Sequence, residues 1–154
     1  MTPPVPSYLS PRRWRWIQFI TRHQEVRFLY WPPRTPTGYR NLRMHDRAGY
    51  EIGRLVWVVC DDCRVASINK ISIVFDHHRQ GLGRRLVRRA LVDGPGYRWQ
   101  TTFQSPEAKK FFPALQNELG VELPEHGGVC AHLKSGRRPW TVGDQPRAAL
   151  DRTV

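Results

Sequence analysis

Two glycines and a block of arginines equip the segment from Ile71 to Val87 to hold an anion. The apolar run Ile71-Ser72-Ile73-Val74-Phe75 leads through Asp76-His77-His78-Arg79-Gln80 to Gly81-Leu82-Gly83, and then into Arg84-Arg85-Leu86-Val87-Arg88-Arg89-Ala90-Leu91. Glycine leaves room for a backbone N–H to approach a ligand closely, and the first N–H groups of a helix lack intrahelical partners and favour phosphate. On such a helix Leu82, Leu86, Val87, Ala90 and Leu91 share one face, while Arg84, Arg85, Arg88 and Arg89 share the other. A dinucleotide-binding fingerprint would need glycine where Leu86 stands, and a P-loop would need a Gly-Lys-Ser/Thr, so neither applies. A second set of chemical groups is Cys60-Asp61-Asp62-Cys63 with the distant Cys130-Ala131-His132. Together they would complete a tetrahedral zinc set, although the C-x-H spacing is unusual. In the simpler reading Cys60 ends a strand, Asp61-Asp62 makes the turn, and the thiols hold no metal.

The flanking pattern says what positions these groups. Tyr39 to His45 reads as a strand, Asp46-Arg47-Ala48-Gly49 as a turn, and Ile52 to Cys60 as a second strand rich in β-branched and aromatic residues. Arg64 to Phe75 returns as a third, completing an antiparallel meander. The helix after Gly83 runs to about Val92, where Asp93-Gly94-Pro95-Gly96 breaks it, and Tyr97 to Phe103 forms the next strand. A helix between two strands makes them parallel, splayed apart at the glycine turn. Ser105 as N-cap and Pro106 at the first helical position start a helix that Gly120 stops. Trp14 to Ile20 fits both strand alternation and a helix capped by Ser10-Pro11, and after Glu125 the chain reads as irregular, with one more strand around Gly128 to Leu133.

The strand, the turn Gln80-Gly81-Leu82-Gly83 and the helix together resemble motif A of the GNAT superfamily of N-acetyltransferases, over about residues 39 to 121. The resemblance implies an α+β (α/β) fold: a mixed sheet with an antiparallel meander, then a splayed parallel strand pair, and helices packed on the sheet. It implies acetyl-CoA (coenzyme A) as cofactor, with its pyrophosphate on the turn and its pantetheine arm along the strand. By position, Ile71, Ser72, Ile73, Arg79, Gln80, Gly81, Leu82, Gly83 and Arg84 would bind it, and Ser105 would stand at the family's second contact. Two departures are visible. His78 occupies the family's Gln/Arg position, and Phe112 the position of the tyrosine that protonates the departing thiolate. Acetyl transfer needs a deprotonated amine and a carbonyl polarised by N–H donors. A bulge near Ile73 and Val74 would supply the donors, and Glu51, then His77 and Asp76, are the candidate bases. The family's two helices after its first strand have no counterpart between Tyr39-His45 and Ile52-Cys60, so either the fold is trimmed or the segment from Trp14 to Trp31, within an N-terminal extension 1–38, replaces that acceptor wall. Residues 39–121 are then the core of one domain, and 122–154 an irregular C-terminal segment.

Composition bounds the rest. The chain has 154 residues with 25 Lys and Arg against 13 Asp and Glu, a formal charge of +12, and just four of the cations are lysine. That field would repel a polycationic substrate such as an aminoglycoside and suits a polyanionic partner, nucleic acid above all; the plainer reading is a solvated basic surface. An amine on aminoacyl-tRNA or on a nucleic-acid-associated protein is the acceptor this suggests. The alternative function is a non-catalytic module of the same fold that binds nucleic acid or a protein. With neither a secretory segment nor an 18-residue apolar run, the sequence reads as cytoplasmic, without membrane contact.

Overall fold

A computed structural model describes residues 5–74, 78, 81–135 and 146–149. In chain order the elements are α1 (Pro11–Ile20), β1 (Arg27–Trp31), β2 (Arg40–His45), β3 (Glu51–Cys60), β4 (Val65–Ile73), α2 (Leu82–Val92), β5 (Arg98–Thr101), α3 (Pro106–Leu119), α4 (Ala131–Ser135) and β6 (Arg147–Ala149). All six strands join one sheet in the order β5-β4-β3-β2-β1-β6. β1 to β4 pair antiparallel in succession, β6 pairs antiparallel with β1, and β4 and β5 run parallel. The mixed α+β sheet read from the sequence is therefore present.

Local chemistry explains the boundaries. Ser10 and Ser105 each accept a backbone N–H at the start of α1 and α3 and are followed by proline, while Gly120 ends α3 at φ 65, where a side chain would be strained. The β2–β3 hairpin turns through Gly49 at φ 98, and the Asp46 carboxylate accepts the Tyr50 N–H at 2.9 Å.

Strand alternation sorts the core into two faces. Phe28, Leu42, Leu55, Trp57, Val59, Ala66 and Ile68 pack against Leu82, Leu86, Val87 and Ala90 of α2 and Phe112 and Leu115 of α3. On the opposite face Leu29 and Trp31 meet Trp14 and Ile17 of α1, and Val58, Cys60 and Val65 meet Leu133 of α4. At about 25 cal/mol per Å² of apolar burial, the larger layer holds α2 and α3 to the sheet far more firmly than lone Leu133 holds α4.

Trp14 to Ile20, whose sequence fits both strand and helix, is helical with Ser10 as its N-cap, so Trp14 is buried while Trp16 points to solvent. Other expectations need correction. β1, inside the segment expected as an extension, is an inner strand between β2 and β6. The strand expected around Gly128 to Leu133 is instead a loop and α4: Gly128 takes φ 91 and the Cys130 carbonyl accepts from Lys134 N–H at 3.3 Å. The bulge in β4 lies not at Ile73 and Val74 but at Asn69, between the pairs Trp57–Ile68 and Val56–Lys70.

Candidate active site

The β4–β5 pair determines where a ligand can enter. Its register runs from Val65–Arg98 to Ile68–Thr101, followed by Thr102 N–H donating to the Ile68 carbonyl at 3.0 Å and Thr102 Oγ1 to the Asn69 carbonyl at 2.9 Å. Beyond that point β5 turns toward α3 and β4 continues along β3 alone. Val74 N–H donates to the Ile52 carbonyl, so alternation turns the backbone of Ser72 toward β3 and that of Ile71 and Ile73 toward the edge β5 has left. Asn69, the extra residue of the bulge, has a buried Oδ1 with no hydrogen-bond partner among the described residues.

Gly81 takes φ 75 and ψ 6 and precedes α2 without a side-chain cap among the described residues. The first helical bond there is Arg85 N–H to the Gly81 carbonyl, so the N–H groups of Leu82, Gly83 and Arg84 have no intrahelical acceptor. The two glycines serve different ends. A Cβ on Gly81 would meet nothing within 4 Å among the described residues, whereas one on Gly83 would lie 3.0 Å from Phe111 Cζ and 3.4 Å from Ile73 Cδ1. Gly81 is required by its dihedral angle. At Gly83 a side chain would crowd Phe111 of α3, so helix packing also favours glycine there.

Between the open edge, the α2 N-terminus and α3 lies a cleft of about 1070 Å³, at the upper end of ordinary small-molecule sites. It is lined by Ile71, Ser72, Ile73, Gly81, Leu82, Gly83, Arg84 and Ser105, which unites eight of the residues expected to bind cofactor. Arg79 and Gln80, like the candidate bases His77 and Asp76, lie outside the described residues. Sequence reasoning missed the α3 wall. Glu107, Phe111, Ala114 and Glu118 line the cleft with three- and four-residue spacing, the signature of one helical stripe. Its described charges are balanced by Arg84 and Lys110 against Glu107 and Glu118, and Arg84 Nε bonds Glu118 Oε2 at 2.9 Å.

His78 also lines the cleft, and its Nε2 lies 2.7 Å from the Ile73 carbonyl. A carbonyl only accepts, so Nε2 carries the proton. Phe112 is buried in the core at 2% exposure, so the position expected to hold a proton donor does not reach the cleft. Glu51 is no cleft residue either: it binds Arg54 at 3.1 Å and Arg43 at 3.4 Å. Nearby, burial pushes Tyr8 up to about 12 against the opposing effect of Arg43. His45 Nδ1 donates to the Gly49 carbonyl at 3.1 Å, which leaves Nε2 to accept from Tyr8. Burial holds that imidazole below its ordinary pKa despite the Gly49 bond.

The cationic face expected on α2 is half absorbed by packing. Arg85 lies over the Phe28 ring at 4.9 Å, and Arg89 lies over Tyr30 and Trp57 and binds Asp93 at 2.9 Å. Arg84 and Arg88 face outward, both toward Glu118. Exposed cations with exposed aromatics occur instead on and just after α1, where Arg12, Arg15 and Arg22 accompany Trp16 and Phe19.

Away from the cleft, Cys60, Cys63, Cys130 and His132 converge, their ligand atoms all within 4.8 Å of one another. The reading of three separate, metal-free thiols does not account for this convergence. Hydrogen bonding to Cys130 raises Cys63 to about 11; at Cys130 burial acts upward but is outweighed by bonds from Leu133 N–H and the neighbouring thiols and imidazole, leaving it at about 7.

No family model matches the chain, and no curated protein matches it. Among solved structures, it is similar to a Deinococcus radiodurans R1 protein provisionally assigned as an acetyltransferase (20% identity, TM-score 0.46, covering 66% of this chain and 67% of that one). It is similar also to a ribosomal-protein-alanine N-acetyltransferase from Brucella melitensis biovar Abortus 2308 (12%, TM-score 0.40, 50% of this chain and 62% of that one). A third is the aminoglycoside N-acetyltransferase AAC(6')-Iy in complex with CoA (16%, TM-score 0.42, 58% and 62%). The chain thus spans about two thirds of the length of these neighbours.

Proposed function

We propose that this chain is an acetyl-coenzyme A-dependent N-acetyltransferase acting on an amine, with the cofactor in the cleft between β4, α2 and α3. One observation carries the reading: the strand edge that β5 leaves at Ile71 and Ile73 ends beside a helix whose first three N–H groups have no intrahelical acceptor and are preceded by a left-handed glycine. The residues fit the group. An extended amide-bearing arm can pair with the strand edge, a diphosphate can accept from the Leu82, Gly83 and Arg84 amides, and the cleft has the volume for both. Arg84 would exchange Glu118 for phosphate at little cost, because its exposed ion pair is worth about 0–1 kcal/mol.

Bound acetyl-CoA would supply an acyl group activated as a thioester. The chain would orient it along the β4 edge, with the N–H groups of Ile71 and Ile73 aimed at the cleft. Among the described residues, His78 Nε2–H, on the Ile73 carbonyl, and Ser105 Oγ would be candidate proton carriers of the cleft, since Phe112 is not one. The acceptor class suggested by the charge of +12 is an amine on an acidic partner such as aminoacyl-tRNA or a nucleic-acid-associated protein.

The test is calorimetric titration with acetyl-CoA, followed by incubation with labelled acetyl-CoA and a cell lysate separated into protein, RNA and small molecules. Saturable binding weakened by Arg84→Gln, together with label in one fraction, is expected; no binding to the folded wild-type protein would end the proposal. The alternative, a non-catalytic module that binds nucleic acid, is favoured by the burial of Phe112 and by Trp16 and Phe19 on α1. It expects RNA binding that falls steeply with salt and needs no coenzyme A.

A further inference from the structure

The turn between β3 and β4 and the N-terminus of α4 bring three sulfurs and one imidazole to a single point. Cys60 ends β3, Cys63 closes the turn, Cys130 immediately precedes α4, and His132 lies in its first turn. Cys63 Sγ is 3.3 Å and Cys60 Sγ 3.7 Å from His132 Nδ1. A tetrahedron with Zn–S of about 2.3 Å and Zn–N of about 2.05 Å has S···N edges of about 3.6 Å and S···S edges of about 3.8 Å. The observed separations bracket the first value, and the 4.8 Å limit for the whole set leaves a modest contraction to reach the second.

We propose that Cys60, Cys63, Cys130 and His132 form a structural zinc site. Three thiolates and an imidazole are the donors that select zinc over the hard cations, and four protein ligands leave no open position for a substrate, so the site is structural.

The surroundings agree with a knuckle built to present ligands. Arg64, directly after Cys63, takes φ 54, a left-handed conformation rare outside glycine and asparagine, and its carbonyl accepts from Arg98 N–H at 3.0 Å. Tyr97 O–H donates to Asp61 at 2.8 Å, so the turn carrying Cys60 and Cys63 is braced from the strand beside it. Among the described residues α4 is held by few apolar contacts: Leu133 is the one buried side chain of that five-residue helix, with Val129 and Cys130 partly buried beside it. Zinc would tie the segment after α3 to the β3–β4 hairpin, a cross-link between residues far apart in sequence. The site lies at the start of β4 and the cleft at its end, so the metal stands apart from the proposed transfer chemistry.

The test uses the full chain, purified reducing and without chelator. Elemental analysis and native mass spectrometry should find one zinc per chain, released by a thiol-modifying mercurial. Cobalt(II) titration of the metal-free protein should give thiolate-to-metal charge-transfer absorption and the intense visible bands of a tetrahedral site. Cys63→Ser, at the exposed ligand, should lower zinc affinity at least 100-fold. If that variant fails to fold, chelation of wild type followed by zinc readdition provides the second measurement, with the melting temperature falling and then recovering. A reduced, folded wild-type chain that takes up neither zinc nor cobalt would overturn the proposal. So would a stable disulfide among these cysteines in freshly isolated protein, seen as the loss of two hydrogens in mass.

Discussion

Replacing each of the two glycines at the head of α2 by alanine should have effects of different origin. At Gly81 the left-handed φ of 75 strains any L-residue by about 1–2 kcal/mol. Alanine offsets little of this, since its Cβ gains no contact with the described residues. Gly81→Ala should therefore lower unfolding stability by about 1–2 kcal/mol, a melting shift of about 2–8 °C for a domain of this size. Gly81→Asn should lose less, because asparagine tolerates this region. At Gly83 the helical backbone favours alanine by up to about 1 kcal/mol, but its methyl would stand 3.0 and 3.1 Å from Phe111 ring carbons. Overpacking of this kind costs about 1–3 kcal/mol, and the half-buried ring can move toward the cleft, so a net loss of about 0–2 kcal/mol is expected. Phe111→Leu should recover part of it. Urea unfolding of the single and double variants measures a coupling of at least about 0.5 kcal/mol if ring and methyl compete for one space. The account fails if Gly81→Ala is as stable as wild type, or if the Gly83 and Phe111 substitutions are strictly additive.

Asp93 accepts from Trp57 Nε1 at 2.9 Å and pairs with Arg40 at 3.1 Å and Arg89 at 2.9 Å, all largely shielded; Asp93→Ala strands two guanidinium groups and should cost about 2–3 kcal/mol in urea unfolding. Arg84→Gln, by contrast, should change stability by less than about 1 kcal/mol while weakening acetyl-CoA binding, which calorimetry checks. His45 is held below its ordinary pKa, so the unfolded chain binds its proton first as pH falls: its contribution is full above the unfolded value of about 6.5 and declines from there toward the lower folded pKa. Stability measured between pH 7 and 5 should show that slope, and His45→Gln should reduce it. Trp16→Ala and Arg15→Gln on α1 should weaken any salt-sensitive RNA binding more than the same change at Arg85, which is engaged with Phe28.

The central run of the chain was legible because its signals are local. Ser105-Pro106, Gly120, the Gly49 turn and the glycine start of α2 each define a boundary through the residue's own chemistry. β1 was not, because Phe28-Leu29-Tyr30-Trp31 is an unbroken apolar run; α1 covers one of its faces and α2 the other, so no alternation develops. β6 has the sequence Arg-Ala-Ala and becomes a strand by pairing with β1. The face of α2 was misjudged at Arg85 and Arg89, since periodicity counts arginine as solvent-facing and cannot see aromatic rings that its flat guanidinium covers. The cleft was half legible, on the strand and turn but not on α3, and the cysteine–histidine cluster waited on knowing that α4 folds back on the β3–β4 turn.

The pairing of β6 with β1, reinforced by Arg13 donating to the Pro146 carbonyl at 2.7 Å, has a consequence for biosynthesis. Phe28 is synthesised well before Ala149, the residue it pairs with. Throughout that interval one side of β1 is an unsatisfied edge, open to another nascent chain. Shielding that edge takes three residues. A chain shortened before Arg147 keeps every element of the cleft, yet should aggregate in proportion to its rate of synthesis.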